Sequence, residues 1–187
     1  MKKILISLVE FVFATSAFAK EVTLLMDWFP QGNQSGYWQA EFDNRYHTDV
    51  TIKVKAGGPK VNTTTAVASG QVEFGLQASD SVMLANAKGA GLKGIFVSLD
   101  HVPYTLVYHP NTGVNSVKDL DGRPFAVKMG VTYWKWVKHT YGLNKVKEFP
   151  LTGDLGLFAR TPQQFQQGYS LFLPARLDAK GVANEQI

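Results

Sequence analysis

The sequence predicts an α/β protein of two lobes, each a doubly wound sheet, and three features predict it. Short apolar, β-branched runs of strand length alternate with helix-like segments between residues 22 and 99, joined by tight loops that contain Gly and Pro. That pattern breaks at Asp100-His101-Val102-Pro103, and Tyr104–His109 then reads as a strand with no helix before it. A second alternating stretch follows from Pro110. The expected division is therefore a first lobe over residues 20–103, then a crossover strand and second-lobe material over residues 104–187.

The first strand, Val22–Met26, ends in Asp27-Trp28-Phe29-Pro30, where proline withholds an amide donor and stops the ladder. A Gly/Asn/Gln/Ser loop follows, then a helix over Gly36–Arg45 opened by Tyr37-Trp38. In an open α/β sheet the crevice beyond the carboxyl ends of the strands receives ligands. A flat ring stacked on Trp28, with Asn33 or Ser35 at its polar edge, is one reading of this loop; Trp28 and Phe29 as core aromatics beneath it is the other.

Val50–Lys55 alternates apolar and polar residues, as a strand does, and ends at Ala56-Gly57-Gly58-Pro59. Paired glycines allow either a sharp turn or close approach to a ligand. Asn62–Gly70 reads as a short capped helix. Val72–Gln77 is a short strand running into Ala78-Ser79-Asp80-Ser81, which can cap a helix over Val82–Lys88 or leave its amides to a polar ligand. Gly94–Leu99 has the composition of a buried strand.

In the second stretch, Ser116–Leu120 is one helical turn, Phe125–Lys128 a strand, Tyr133–Tyr141 a helix closed by Gly142, and Val146–Phe149 a strand ending at Pro150. Thr161-Pro162 reads as a cap with proline at the first helical position, placing a helix over Gln163–Gln167 and a brief strand over Ser170–Leu173. On the helix from Tyr133, helical spacing puts Tyr133, Trp136 and Val137 on a core face, with Lys135, Lys138 and His139 outside.

The first nineteen residues have the layout of an export signal: Lys2-Lys3, an apolar run Ile4–Phe18 and an Ala17-Phe18-Ala19 cleavage site. The apolar run is shorter than the roughly 20 residues that span a bilayer. The remaining 168 residues carry a net charge of +3 with scattered lysines, so nucleic-acid binding is not suggested. There is no cysteine, which removes disulfides, thiolate metal sites and thiol chemistry. The four histidines lack metal spacing. No nucleophile elbow, zinc-protease motif, phosphate loop or dinucleotide fingerprint is present. Asp27 and Asp80 could pair in space, but nothing in the sequence requires it. A binding protein is favoured over an enzyme.

The segments M-D-W-F-P (26–30), A-G-G-P (56–59), V-A-S-G-Q-V-E-F-G-L (67–76), S-V-K-D-L-D-G-R-P-F-A-V (116–127), Y-W-K-W-V-K-H-T-Y-G-L (133–143) and Q-Q-G-Y (166–169) carry a resemblance. In this order they resemble the solute-binding proteins of ABC importers for thiamine pyrimidine precursors, nitrate, sulfonates and taurine. W-F-P and Q-Q-G-Y lean toward the pyrimidine-precursor branch. The resemblance implies a periplasmic-binding-protein-like (type II) fold that closes on ligand between its lobes. It also implies a periplasmic location, a small heteroaromatic ligand, a permease partner, no cofactor and no membrane insertion after signal cleavage.

By motif position Trp28 is a ring-stacking residue, Tyr169 a second-lobe contact, and Gly57, Gly58, Gln77, Ser79 and Gly130 line the cleft. Asn33, Ser35, Tyr37 and Tyr133 complete the candidate set. Position 173, where the family commonly has a carboxylate for the aminopyrimidine edge, is Leu173. Family members also run past residue 187, so the second lobe is expected to be incomplete and the chain marginally stable. Alternatives are an alkanesulfonate, taurine or nitrate binder, a sensor domain, or a pyrimidine-synthase-like enzyme, which the missing cysteines and the export signal disfavour.

Overall fold

The computed structural model describes residues 20–43 and 49–187, so the predicted export segment and His47 lie outside the described residues. The first sheet is parallel throughout. Its central strand β1 (Lys20–Leu25) pairs along its whole length with β2 (Val50–Lys55) and, at its carboxyl end, with β3 (Phe74–Gly75). Three helices follow these strands: α1 (Ser35–Phe42), α2 (Thr63–Ala68) and α3 (Ser79–Asn86). The far end of the helix predicted over Gly36–Arg45 falls outside the described residues. At α2 the cap is as predicted, with Asn62 accepting a hydrogen bond from the Thr65 amide at 3.1 Å.

One glycine fixes how the ends of β1 and β2 meet. The Gly57 amide donates to the Trp28 carbonyl at 3.0 Å, so the β2 exit loop lies directly on the β1 exit loop. A Cβ at Gly57 would run into the Met26 carbonyl oxygen and stand 2.6 Å from the Trp28 nitrogen. Only hydrogen fits there.

The second sheet is mixed, with five strands among the described residues in the order β6-β5-β7-β4-β8. These are β4 (Tyr104–Tyr108), β5 (Pro124–Val127), β6 (Lys147–Pro150), β7 (Phe165–Tyr169) and β8 (Glu185–Gln186). β5 runs parallel to β6 and β7, while β4 runs antiparallel to β7 and β8. Helices α4 (Thr132–Tyr141), α5 (Leu155–Ala159) and α6 (Leu173–Asp178) accompany it.

Both faces of this sheet are covered. On one, Leu106, Tyr108, Phe125, Val127 and Phe165 pack with Leu120, Trp134 and Leu143. On the other, Val107 packs with Leu155 and Phe158 of α5 and Leu173 and Leu177 of α6. Successive residues of β4 thus point to opposite cores, which is why Thr105–Tyr108 are all buried. The predicted strands at Val50, Tyr104, Phe125 and Val146, the helical turn at Val117–Leu120 and the helix closed by Gly142 (φ 70°) are all present.

Four expectations are corrected. Residues 163–167 are not a helix: Thr161-Pro162 opens a turn, and Phe165–Tyr169 is β7, held between β5 and β4. Residues 170–173 are not a strand, because α6 begins at Leu173, whose side chain fills the space beside Gly168 that a Cβ would need. Gly94–Leu99 carries no strand pairing, and Ile95, Phe96 and Val97 are more than 70% exposed. β3 ends the first sheet, and residues 94–99 do not pair with its open edge. On α4 the core residue is Trp134, with Tyr133 and Val137 beside it, whereas Trp136 is 61% exposed. Lys138 reaches Glu148 at 2.6 Å and is half-buried rather than free outside.

The two outward tests of this packing are glycine substitutions of opposite sign. Gly57→Ala must displace β1 backbone and is expected to cost about 2 kcal/mol or more, lowering the melting temperature by roughly 4–8 °C. Gly36, on α1 with open space where a Cβ would lie, is expected to gain about 0.5–1 kcal/mol as Gly36→Ala. Calorimetry of the two variants beside the parent chain checks both.

Candidate functional site

Parallel strands deliver their following loops to one side of a sheet, and here two sets of such loops face each other. From the first sheet come the segment after β1, the turn after β2 and the entry to α3; from the second come the segments after β5 and β6 and the end of β7. Between them lies a cavity of about 510 Å³, within the range of small-molecule sites.

Asp27 and Trp28 leave the carboxyl end of β1 at its wall, and Lys128 leaves the end of β5 opposite. The Lys128 Nζ donates to the Asp27 backbone carbonyl at 3.0 Å and stands 5.4 Å from the centre of the Trp28 ring, a cation–π contact. The Lys128 amide in turn donates to Gln167 Oε1 at 2.8 Å, so the second glutamine of Q-Q-G-Y is buried for a structural reason: Gln167 on β7 holds the exit of β5.

A tyrosine cluster forms the neighbouring wall. Tyr104 opens β4 opposite Tyr169 at the end of β7, with ring centroids 5.2 Å apart, and Tyr133 of α4 stacks on Tyr104 at 4.3 Å. Burial pushes the Tyr169 hydroxyl up to about 12, with the Asp27 charge acting the same way and the Tyr104 hydroxyl opposing it. Burial likewise raises Tyr104 and Tyr133, and the Tyr133 hydroxyl is buried without a hydrogen-bond partner. These rings are therefore neutral donors and apolar faces, not phenolates.

Asp27 is, with Asp80, one of two carboxyl groups on the cavity wall. Burial pushes the Asp27 carboxyl above the usual aspartate value, and Lys128 pulls it partly back. Burial correspondingly lowers the Lys128 ammonium, which Asp27 partly restores. The carboxylate accepts from Gln34 Nε2 at 3.4 Å, while Gln34 Oε1 is buried with no partner. Among the described residues no group of three or more His, Asp or Glu is placed to hold a metal. His109 Nε2 donates to the Phe158 carbonyl at 2.8 Å while the imidazole stacks on the Phe158 ring, a structural role.

Of the candidates read from sequence, Trp28, Gln77, Gly130, Tyr133 and Tyr169 line this cavity. The Gln77 side chain is already engaged, donating to Thr63 Oγ1 at 3.0 Å and accepting from the Ala78 amide at 2.9 Å. Gly57, Gly58, Asn33, Ser35, Tyr37 and Ser79 do not line it. Gly57 and Gly58 are buried against the β1 exit loop and the Phe29 ring. Ser35 and Tyr37 lie on α1 and Ser79 is the exposed first residue of α3. Asp80, one residue on, does line the cavity, accepting from the Ser81 amide at 2.7 Å.

Gln34, Tyr104 and Lys128 were missed by sequence reasoning, and Asp27 entered it only as half of a carboxylate pair with Asp80. Asp27 and Lys128 had a usable signal, since each is among the first residues beyond a strand that the sequence places correctly. Tyr104 had none, because only the antiparallel pairing of β4 with β7 brings it to Tyr169.

The model of the family described as NMT1/THI5 like matches residues 33–147. A 4-amino-5-hydroxymethyl-2-methylpyrimidine phosphate synthase from Legionella pneumophila is 27% identical over 118 residues, which is 59% of this chain and 35% of that protein. The chain thus spans about a third of the length of that relative. Among solved structures, one from work on glutathione import via GshT and the cystine ABC importer TcyBC of Streptococcus mutans aligns with a TM-score of 0.64 at 16% identity. It covers 91% of this chain and 76% of its own. The periplasmic aliphatic sulphonate binding protein SsuA of Escherichia coli aligns with a TM-score of 0.55 at 14% identity, covering 89% and 56%. At such identities these structures show a shared fold, the α/β type II fold of periplasmic binding proteins. The chain belongs to the NMT1/THI5-like family, carried on that fold.

Proposed function

We propose that this chain is the extracytoplasmic solute-binding component of an ABC importer, taking a small heteroaromatic nutrient such as a thiamine pyrimidine precursor between its two lobes. The observation that carries this reading is the cavity of about 510 Å³ with Trp28 on one wall and Tyr104, Tyr133 and Tyr169 on another. It suits a flat ring with polar edges. The lobes divide as residues 20–103 and 104–187, and closure brings Trp28 toward Tyr169. The predicted export segment supports a periplasmic location, with delivery to a membrane permease. Among the described residues no helix is long and apolar enough to cross a membrane.

A second reading has a specific observation in its favour. Lys128 and Arg176 both line the cavity, which suits the anionic group of a sulfonate or nitrate. The curated relative is an enzyme, but among the described residues this cavity holds no activated nucleophile, and the half-buried Lys128 is occupied by Asp27 and Trp28.

A thermal-shift screen of the full chain with aminopyrimidines, taurine, alkanesulfonates and nitrate tests the assignment. An aminopyrimidine is expected to raise the melting temperature, and a response to the anions alone would contradict the heteroaromatic reading. Trp28→Ala is then expected to weaken that ligand by about tenfold or more, the size of a lost ring-stacking contact of about 1–3 kcal/mol, as titration calorimetry would report. An unchanged Kd would remove Trp28 from the binding wall.

A further inference from the structure

Lys128 belongs to the second lobe, yet its side chain is engaged by the first. Its Nζ donates to the Asp27 backbone carbonyl at 3.0 Å and stands 5.4 Å from the centre of the Trp28 ring. Both ends of this bridge are rooted in backbone. The Lys128 amide is held by Gln167 Oε1 of β7 at 2.8 Å, and the Trp28 carbonyl accepts from the Gly57 amide at 3.0 Å. A contact anchored at both ends couples the position of one sheet to that of the other. Trp28 and Lys128 both line the cavity, so the ammonium covers ring surface that a ligand would otherwise meet. The strength of the bridge is limited by its chemistry. The partners of the ammonium are a neutral carbonyl and a ring face, and that carbonyl takes one of its three donors. Such a contact holds two surfaces together and still gives way to a competitor.

We propose that Lys128 is an autoinhibitory latch: in the ligand-free chain its ammonium holds the two lobes together and occupies the Trp28 face, and a ring that stacks on Trp28 must displace it. This rests on the reading above that Trp28 is part of the binding wall. The latched chain is then a non-binding state in equilibrium with an open, competent one, and apparent affinity falls by the fraction that is open. Removing the ammonium raises that fraction. The direction is opposite to that of a ligand contact, whose removal weakens binding.

The test uses Lys128→Met, which keeps the apolar stem and removes the charge, beside Lys128→Arg, which keeps a cation and a donor. Helices α3 and α4 approach each other across the cleft, and the chain has no cysteine. Spin labels on Met83→Cys of α3 and Lys135→Cys of α4, both exposed, therefore report lobe separation by electron spin resonance. Without ligand, Lys128→Met is expected to shift the distance distribution to longer values, and Lys128→Arg to leave it as in the parent. Calorimetric titration with 4-amino-2-methylpyrimidine is expected to give a Kd at least about fivefold lower for Lys128→Met than for the parent. Unchanged distances overturn the proposal. So does weaker binding by Lys128→Met, which would make Lys128 a ligand contact. A further measurement needs no variant: in the ligand-free parent chain, acetic anhydride is expected to modify Lys128 about tenfold more slowly than the exposed Lys135, read by mass spectrometry. Equal rates overturn the latch even if Lys128→Met fails to fold. A pyrimidine that binds neither form counts against the heteroaromatic reading, and the distances, which need no ligand, separate that failure from failure of the latch.

Discussion

The arrangement depends on one contact across the cavity: the Lys128 side chain leaves the end of β5 and lands on the Asp27 carbonyl and the Trp28 ring. It ties the loop after the central strand of one sheet to the loop after a parallel strand of the other, across 101 residues of sequence. Everything near it is arranged for that contact. Gln167 fixes the Lys128 backbone, Gly57 admits the β2 loop beneath Trp28, and the tyrosine pair on β4 and β7 closes the neighbouring side. The contact is also removable. A cation–π contact and one charge-assisted hydrogen bond are each worth on the order of 1–3 kcal/mol, which a stacking ligand can replace.

The stability of the molecule is unevenly placed. Both hydrophobic clusters among the described residues belong to the second sheet, whose two faces are each covered by helices. The first sheet is narrower, ends at the two-residue strand β3, and leaves Phe74 and Leu84 partly exposed. The cavity lining contributed by the second sheet is therefore backed by its own two-sided core.

The strands that carry the site were legible because their pattern is local. Val50–Lys55 alternates, Tyr104–Tyr108 is aromatic and β-branched, Pro124–Val127 is apolar throughout, and Asn62 and Gly142 announce their helix ends. Gln163–Gln167 was misread because its fate is decided by partners far away in sequence. Its glutamines enter a strand only because β5 and β4 leave a gap between them and Lys128 supplies an amide to Gln167. Gly94–Leu99 failed in the opposite sense, since strand composition does not make a strand where no pairing forms. In the site, aromatic residues near strand ends were recognisable. The contact of Lys128 with the Asp27 backbone was not, because it depends on the approach of two strand ends that no spacing encodes.

The central claim is that ligand binds between the two sheets and touches both. Hydrogen–deuterium exchange of the full chain, with and without the solute that most raises its melting temperature, tests this most directly. The account predicts that amides of residues 26–34 and of residues 128–133 gain protection together at saturating ligand. Protection confined to one of these segments, or found only elsewhere in the chain, would contradict it.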